Sequence, residues 1–594
     1  MTSTKELFSD LKEKYGKTEV LIIEKSKSDP QTEPFKSHYK ARSILLDISQ
    51  TIKQHMDAPG NKDATDDLEA LQLILAHITV DLGKIYNFTE EVSTGEKYLN
   101  EALELVKDRE TEPAIICAAL NAMNESGVMW MNRGETEKAR DFLINAETCC
   151  NSFKEKKLDA LSIHDIFDGN SQSENGRGEK LLEKINVLTL FYLAQVFGSL
   201  GDLEKSAIYC HTTLKRQLIE GDFEPIDWAL NAATLSQYFC TNDRYLEARH
   251  HLAAATQILL EHQNNLLKPG MTDDEKKAAE DNFNHRMADV NRCWVKYALN
   301  LMSDSRDRLL RDDEIDIKNL KITDRLTFGS KVDEAFENVI TDRYLLDVDD
   351  AKPVFLNTIK WIEKAKSYYA IDSEATEYSK IVQDHALAYK NLAFFESDPS
   401  NQAKMHKRRV DLLEALLEEL NKVFYMNIVR ELLYELGTAY SNILDIKLEM
   451  FELSQKEPNT VINPNALKKI NELITKSRKN FTEFISTYYQ AKTEELKSDL
   501  SIDEMIPIAF SYFQVARISY KFITPDKHLQ YKNLSICLES YQKFVALCSQ
   551  KEEVGDKMKA EVGVSKEMVQ LLPLKLQRLK GDIIESGARP AITA

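Results

Sequence analysis

Residues that could carry chemistry are easy to find in this chain but hard to assemble into a site. Cys149-Cys150 and His250-His251 each set two metal-binding side chains next to one another. A metal needs three or four donors converging on one point, and neighbours on a helix diverge by about 100°. Neither pair has a third ligand three or four residues on, so both read as packing residues. Gly176-Arg177-Gly178 is the one glycine-rich spot, and no strand pattern precedes it, so it reads as a turn rather than a phosphate loop. GxxxxGK[ST], GxSxG, HExxH and CxxC do not occur. The 96 carboxylates are expected on solvated helix faces and in i,i+4 pairs, as is the basic run Lys404-Met405-His406-Lys407-Arg408-Arg409. The expectation is a protein that is not an enzyme, with no catalytic residues, cofactor or metal.

The elements that position these residues are helices. Only 19 Gly and 14 Pro in 594 residues leave little turn chemistry for sheets, while Leu, Ala, Glu and Lys are abundant. The net charge of −19 disfavours nucleic acid or an anionic membrane as ligand and favours a basic partner. The eight cysteines fall mostly among apolar residues, as in a reduced, cytosolic protein. The first residues lack the apolar core of a signal peptide, and no long uncharged apolar run occurs, so no membrane insertion is expected.

Small residues recur where two helices would touch. In Leu190–Phe239, Ala194 precedes Phe197 and the turn Gly201-Asp202, after which Ser206, Cys210 and Thr213 repeat at helical spacing. This is the pattern of a tetratricopeptide hairpin. It recurs at Gly83 with Gly95, Leu99 and Ala102; at Gly127 with Ala139, Leu143 and Ala146; and at Ser236 with Ala248, Leu252 and Ala255. The spacings all exceed the roughly 34 residues of the standard unit, so the helices or loops must be extended. The sequence predicts an all-α fold: a tetratricopeptide-like right-handed helical solenoid in two lobes. Residues 1–285 form the N-terminal helical-repeat lobe, with a capping helix around Tyr39–Ile48, a polar loop at 57–67 and a mobile loop at about 151–180. Residues 286–350 form a linker helix and charged linker. Residues 351–594 form the C-terminal helical-repeat lobe, ending in a cap helix at 565–580.

The first helix of each hairpin lines the concave side of such a repeat. Registering the units on the small residue places Phe191, Tyr192 and Gln195, then Ala233, Thr234 and Gln237, then Asn124 and Glu125 in the groove. These positions are polar and aromatic rather than basic.

The segments CHTTLKRQL, EPIDWALNAATLSQYF, IVQDHALAYKNLAFFESDP, KMHKRRVDLLE, FQVARISYKFIT and SKEMVQLLP, with EPFKSHYKAR near the start, resemble the kinesin-binding protein (KIF-binding protein) family over nearly the whole chain. The resemblance implies a solenoid that captures the motor domains of a subset of kinesins and blocks their attachment to microtubules. By motif match it implicates Tyr192, Gln195, Gln217 and Thr234. It further implies a monomer in the cytoplasm, associated with the cytoskeleton, with effects on axonal and mitochondrial transport, neurogenesis and differentiation. A cargo adaptor that leaves the motor active is the alternative.

Overall fold

The computed structural model describes residues 4–57, 65–170, 172–311, 325–455, 464–490 and 495–587. Among these residues the chain is helical, and the one β feature is an isolated antiparallel bridge between Tyr489 and Leu496. The all-α, tetratricopeptide-like reading is the observed one. Two compact units result: Met1–Asn231 with Leu326–Phe328, and Ala232–Arg325 with Gly329–Ala594.

The first unit runs through α1 (Thr4–Ile23), α2 (Lys36–Asp57), α3 (Thr65–Phe88), α4 (Val92–Val106), α5 (Ile116–Asn132), α6 (Thr136–Glu155), a short α7 (Ile163–Phe167), α8 (Arg177–Ser199), α9 (Leu203–Glu220) and into α10 (Pro225–Thr241). α3–α4, α5–α6 and α8–α9 are antiparallel hairpins. Their small residues do what the pattern requires: a Cβ on Gly127 would stand 2.7 Å from the Leu143 side chain, so α5 and α6 meet more closely than any larger residue allows. Ala139, Leu143 and Ala146 are fully buried at that contact. In the next hairpin the Ser206 hydroxyl donates to the Ala194 carbonyl at 2.8 Å, and Phe197 stacks on Tyr209 with ring centroids 5.5 Å apart.

Two expectations change here. The N-terminal cap is a hairpin rather than a single helix: α1 precedes α2, and Leu11, Leu45, Ile48 and Ile52 cover Ile74, Ile78 and Leu82 of α3. The segment expected to form a mobile loop at 151–180 is packed. α6 continues through Glu155, and Ile163, Ile166 and Phe167 of α7 join the same core. Asp165 ties the polar residues down, accepting from the Ser162 amide and hydroxyl at 2.8 and 2.6 Å, the Ser173 hydroxyl at 3.2 Å and the Glu174 amide at 3.2 Å. These hydrogen bonds hold its carboxyl below the usual range against the opposing effect of burial. The polar loop read at 57–67 lies mostly outside the described residues.

The second unit takes the rest of α10 and continues through α11 (Tyr245–Gln263), α12 (Asp273–Arg311), α13 (Glu334–Glu337), α14 (Val348–Lys366), α15 (Ile371–Phe395), α16 (Pro399–Glu419), α17 (Met426–Gln455), α18 (Pro464–Ser486), α19 (Ile502–Tyr520), α20 (Lys527–Gln550), α21 (Glu552–Lys557) and α22 (Lys559–Gly587). Of the stretch read as a linker helix and charged linker at 286–350, residues 312–324 lie outside the described residues, and the rest, apart from Leu326–Phe328, packs within this unit. α12 runs unbroken through 286–311, Trp294 stacks on Trp361 with centroids 4.9 Å apart, and the Tyr297 hydroxyl donates to the Thr341 carbonyl at 2.9 Å. α22 covers the last hairpin: Leu572 is buried beside Ala516, Leu534, Cys537 and Tyr541.

By length and composition α8 is apolar enough to cross a membrane. Half of its most apolar window is buried inside the protein, where Leu182, Ile185, Leu190 and Leu193 pack on neighbouring helices. That is the signature of a core helix.

Candidate functional site

The residues paired in sequence are apart in chemistry. Cys150 is buried and Cys149 half-buried, and burial raises both thiols, that of Cys149 to about 11, which disfavours the thiolate a metal would need. His251 Nδ1 lies 2.7 Å from the Glu247 carbonyl, while His250 pairs with Glu337. Among the described residues no group of three His, Cys, Asp or Glu side chains could hold a metal ion. In the basic run, Lys404, Lys407 and Arg408 are exposed, but His406 and Arg409 are buried, Arg409 pairing with Glu435.

A continuous polar strip does form in the first unit, where α5 packs against both α3 and α8. Asp81 and Lys84 stand one turn apart on α3, Asn121 and Glu125 one turn apart on α5, and Leu188, Tyr192 and Gln195 at i, i+4 and i+7 on α8. Lys84 Nζ donates to Asn121 Oδ1 at 2.9 Å, joining the first two helices. The Tyr15 hydroxyl donates to Asp81 Oδ2 at 2.9 Å from the far side. Glu125 is the electrostatic centre. Burial raises its carboxyl above the ordinary range, with Lys84 opposing and Asp81 adding to the rise. Burial, with a smaller contribution from the charge of Glu125, pushes up the Tyr192 phenol.

Tyr192 is half-buried against the cluster of Leu193, Val196 and Phe197, whereas Gln195 is exposed. Phe191 and Leu188 are exposed at 41% and 45%, unusual for large apolar residues in a helix that is otherwise core. α8 therefore offers an aromatic and aliphatic ridge beside two carboxylates.

Of the four residues singled out by resemblance, Tyr192 and Gln195 lie one turn apart on this strip. Gln217 is half-buried on α9, one turn before the cap at Gly221, whose amide donates to the Gln217 carbonyl at 2.9 Å. Thr234 is exposed on α10, in the portion assigned to the second unit. Two groove expectations are corrected. Asn124 is buried, donating to the Ile185 carbonyl at 3.3 Å and accepting from Thr189 at 3.0 Å, so it joins α5 to α8. Ala233 is 1% exposed and belongs to the core. Sequence reasoning missed Asp81, Lys84 and Asn121, so the strip also carries one lysine. The available signal was register: Asp81 and Lys84 flank Gly83, the small residue on which that hairpin was aligned.

Comparison with known proteins agrees with this architecture. A family profile described as "KIF-1 binding protein C terminal" matches residues 226–579. The KIF-binding protein of Drosophila melanogaster is 40% identical over 602 residues, covering 99% of this chain and 100% of its own. That of Danio rerio is 33% identical, covering 97% of this chain and 98% of its own, and that of Homo sapiens 31%, covering 93% and 95%. A solved structure titled "Kinesin binding protein (KBP)" superposes with a TM-score of 0.64 at 27% identity, covering 95% of this chain and 98% of that one.

Proposed function

The chain belongs to the KIF-binding protein family, and from that premise we propose that it binds kinesins by capturing their motor domains and holding them off the microtubule. The observation that carries the reading is end-to-end similarity to the Drosophila relative, which leaves no large part of this chain without a counterpart in a protein named for binding kinesins. The strip on α3, α5 and α8 supports it. A motor's microtubule-facing surface has to be basic to meet an acidic filament. Asp81 and Glu125, flanked by Phe191, Tyr192 and Gln195, supply carboxylates and an apolar ridge that compete for that surface. Affinity then comes from the ridge, and encounter rate and orientation from charge.

In this reading the protein acts as a cytoplasmic, cytoskeleton-associated monomer, selective among kinesins, that regulates microtubule-based transport stoichiometrically rather than by turnover. Tyr192, Gln195, Gln217 and Thr234 are its contact residues. Co-sedimentation of a kinesin motor domain with microtubules, with this protein titrated in, tests it. The wild type should leave the motor in the supernatant. The folded triple variant Tyr192→Ala/Gln195→Ala/Thr234→Ala should leave most of it on the filament. A wild type that binds the motor without releasing it from microtubules would establish the adaptor role instead.

A further inference from the structure

α22 carries two apolar faces, of which the fold uses one. Val569, Leu572, Leu576 and Leu579 recur every three or four residues and pack on Ala516 of α19 and on Leu534, Cys537 and Tyr541 of α20. On the side turned away from them, Val564, Leu571 and Leu574 are 51%, 59% and 58% exposed. Together with Glu567 and Arg578 they fall within an arc of about 80° on the helix, so the five residues form one stripe about 21 Å long. Tyr520 of α19, itself exposed, lies at its edge: Lys575 Nζ stands 4.6 Å from the centre of its ring and donates to its hydroxyl at 3.2 Å. The outer face of a helix that caps a repeat array is ordinarily polar, because solvent is all it meets. Three large apolar side chains in a row there form a contact surface without its cover.

The charges on the stripe say what covers it. Lys575 is engaged by Tyr520, and Asp582 pairs with Lys527 at 3.6 Å, whereas Glu567 and Arg578 have no ion-pair partner among the described residues. These two stand at equal distances on either side of the midpoint between Leu572 and Pro573, and so do Leu571 and Leu574. A second α22 set antiparallel to the first, about a two-fold axis through that midpoint, therefore brings Leu571 against Leu574 of the second copy and Glu567 against its Arg578, each pair occurring twice. Val564 meets the small Gly581 of the second copy. No like charges are opposed, since Lys575 is set against Gln570 and Asp582 against Gly563. The leucines fall at the centre and the opposite charges about 8 Å to either side. Helices crossing at an angle touch at the middle and diverge outwards, which leaves the long charged side chains room at the rim. An unrelated partner would need no such symmetry in this face.

We propose that α22 is a self-association surface, through which two copies of this chain pair about a two-fold axis, with Leu571 and Leu574 at the centre and Glu567–Arg578 ion pairs between the copies at both ends. One helix against another buries less than the roughly 1,600 Å² of a standard interface, so the pairing is reversible, with a Kd of about 10 µM. At nanomolar concentration the chain is the monomer of the kinesin-capturing reading, and the paired state forms where the protein is concentrated.

Sedimentation velocity of the full-length protein between about 1 and about 100 µM tests this. The 68.1 kDa chain should pass from monomer to dimer over that range. Leu571→Glu/Leu574→Glu, which changes only exposed residues, should remain monomeric throughout. Glu567→Arg and Arg578→Glu should each weaken pairing at least about tenfold, because each sets like charges opposite one another at both ends. An equimolar mixture of those two variants should pair to within about threefold of wild type, since one then carries two cations and the other two carboxylates at the matching positions. A wild type that stays monomeric at the highest concentration, a dimer indifferent to the leucine substitutions, or a mixture that pairs no better than either variant alone would each overturn the proposal. Far-ultraviolet circular dichroism confirms that the variants are folded.

Discussion

Glu125 concentrates the conflict between folding and binding in one side chain. Its carboxyl is raised chiefly by burial, with Asp81 adding to the rise and Lys84 opposing it. A carboxyl whose pKa is higher in the folded state binds its proton more tightly there. The fold therefore loses stability as pH rises through that range, so the penalty is greater at neutral pH than in acid. Glu125→Gln keeps the shape and removes the charge, so it should raise the melting temperature at pH 7, and the gain should shrink as the pH is lowered towards the carboxylate range. The same substitution should weaken motor capture in the co-sedimentation assay, because it removes one of the carboxylates proposed to meet the basic face. A scan of Tm against pH for both proteins checks the first part. A variant no more stable than wild type at pH 7 would mean that water already satisfies the carboxylate.

At the scale of elements, the join between α6 and α8 depends on Gly178. A Cβ there would stand 1.8 Å from the Ala160 carbonyl oxygen, a backbone atom that cannot swing aside. Gly178→Ala should therefore cost about 2 kcal/mol or more, read as a lowered denaturation midpoint with an unchanged slope. Gly201, with open space around it, sits at φ +81°, so alanine there tests backbone conformation alone and should cost less, about 1 kcal/mol. The contrast shows what was legible. The hairpins could be read because Gly127, Ala139, Leu143 and Ala146 obey a short period that survives any loop length. The packing of 151–180 could not. Its order comes from Asp165 gathering Ser162, Ser173 and Glu174, which are ordinary loop residues until the chain has folded back on itself. Likewise the strip was half legible. Tyr192 and Gln195 follow from register on α8, but Glu125 gains its character chiefly from burial between helices, modulated by Lys84 and Asp81 on α3, a juxtaposition no local pattern encodes.

For the whole molecule, the decisive quantity is a net charge of −19 spread over a chain whose partner is proposed to be basic. Such a field acts before contact, drawing the partner in and orienting it, and it is screened beyond about 10 Å at 0.1 M salt. The exposed Leu188 and Phe191 act only at contact, and their contribution is insensitive to screening. The two contributions can be separated by salt. Affinity for a kinesin motor domain should fall at least about fivefold between roughly 50 and 300 mM salt, with most of the change in the association rate. The Asp81→Asn/Glu125→Gln variant should bind more weakly at low salt, and its affinity should fall less steeply as salt rises. Phe191→Ala should lower affinity at every salt concentration with the wild-type slope, the loss appearing in the dissociation rate. Surface plasmon resonance across the salt series measures all three. Parallel salt curves for wild type and the carboxylate variant would assign the steering to charges elsewhere on the protein and leave the strip a contact surface held by shape.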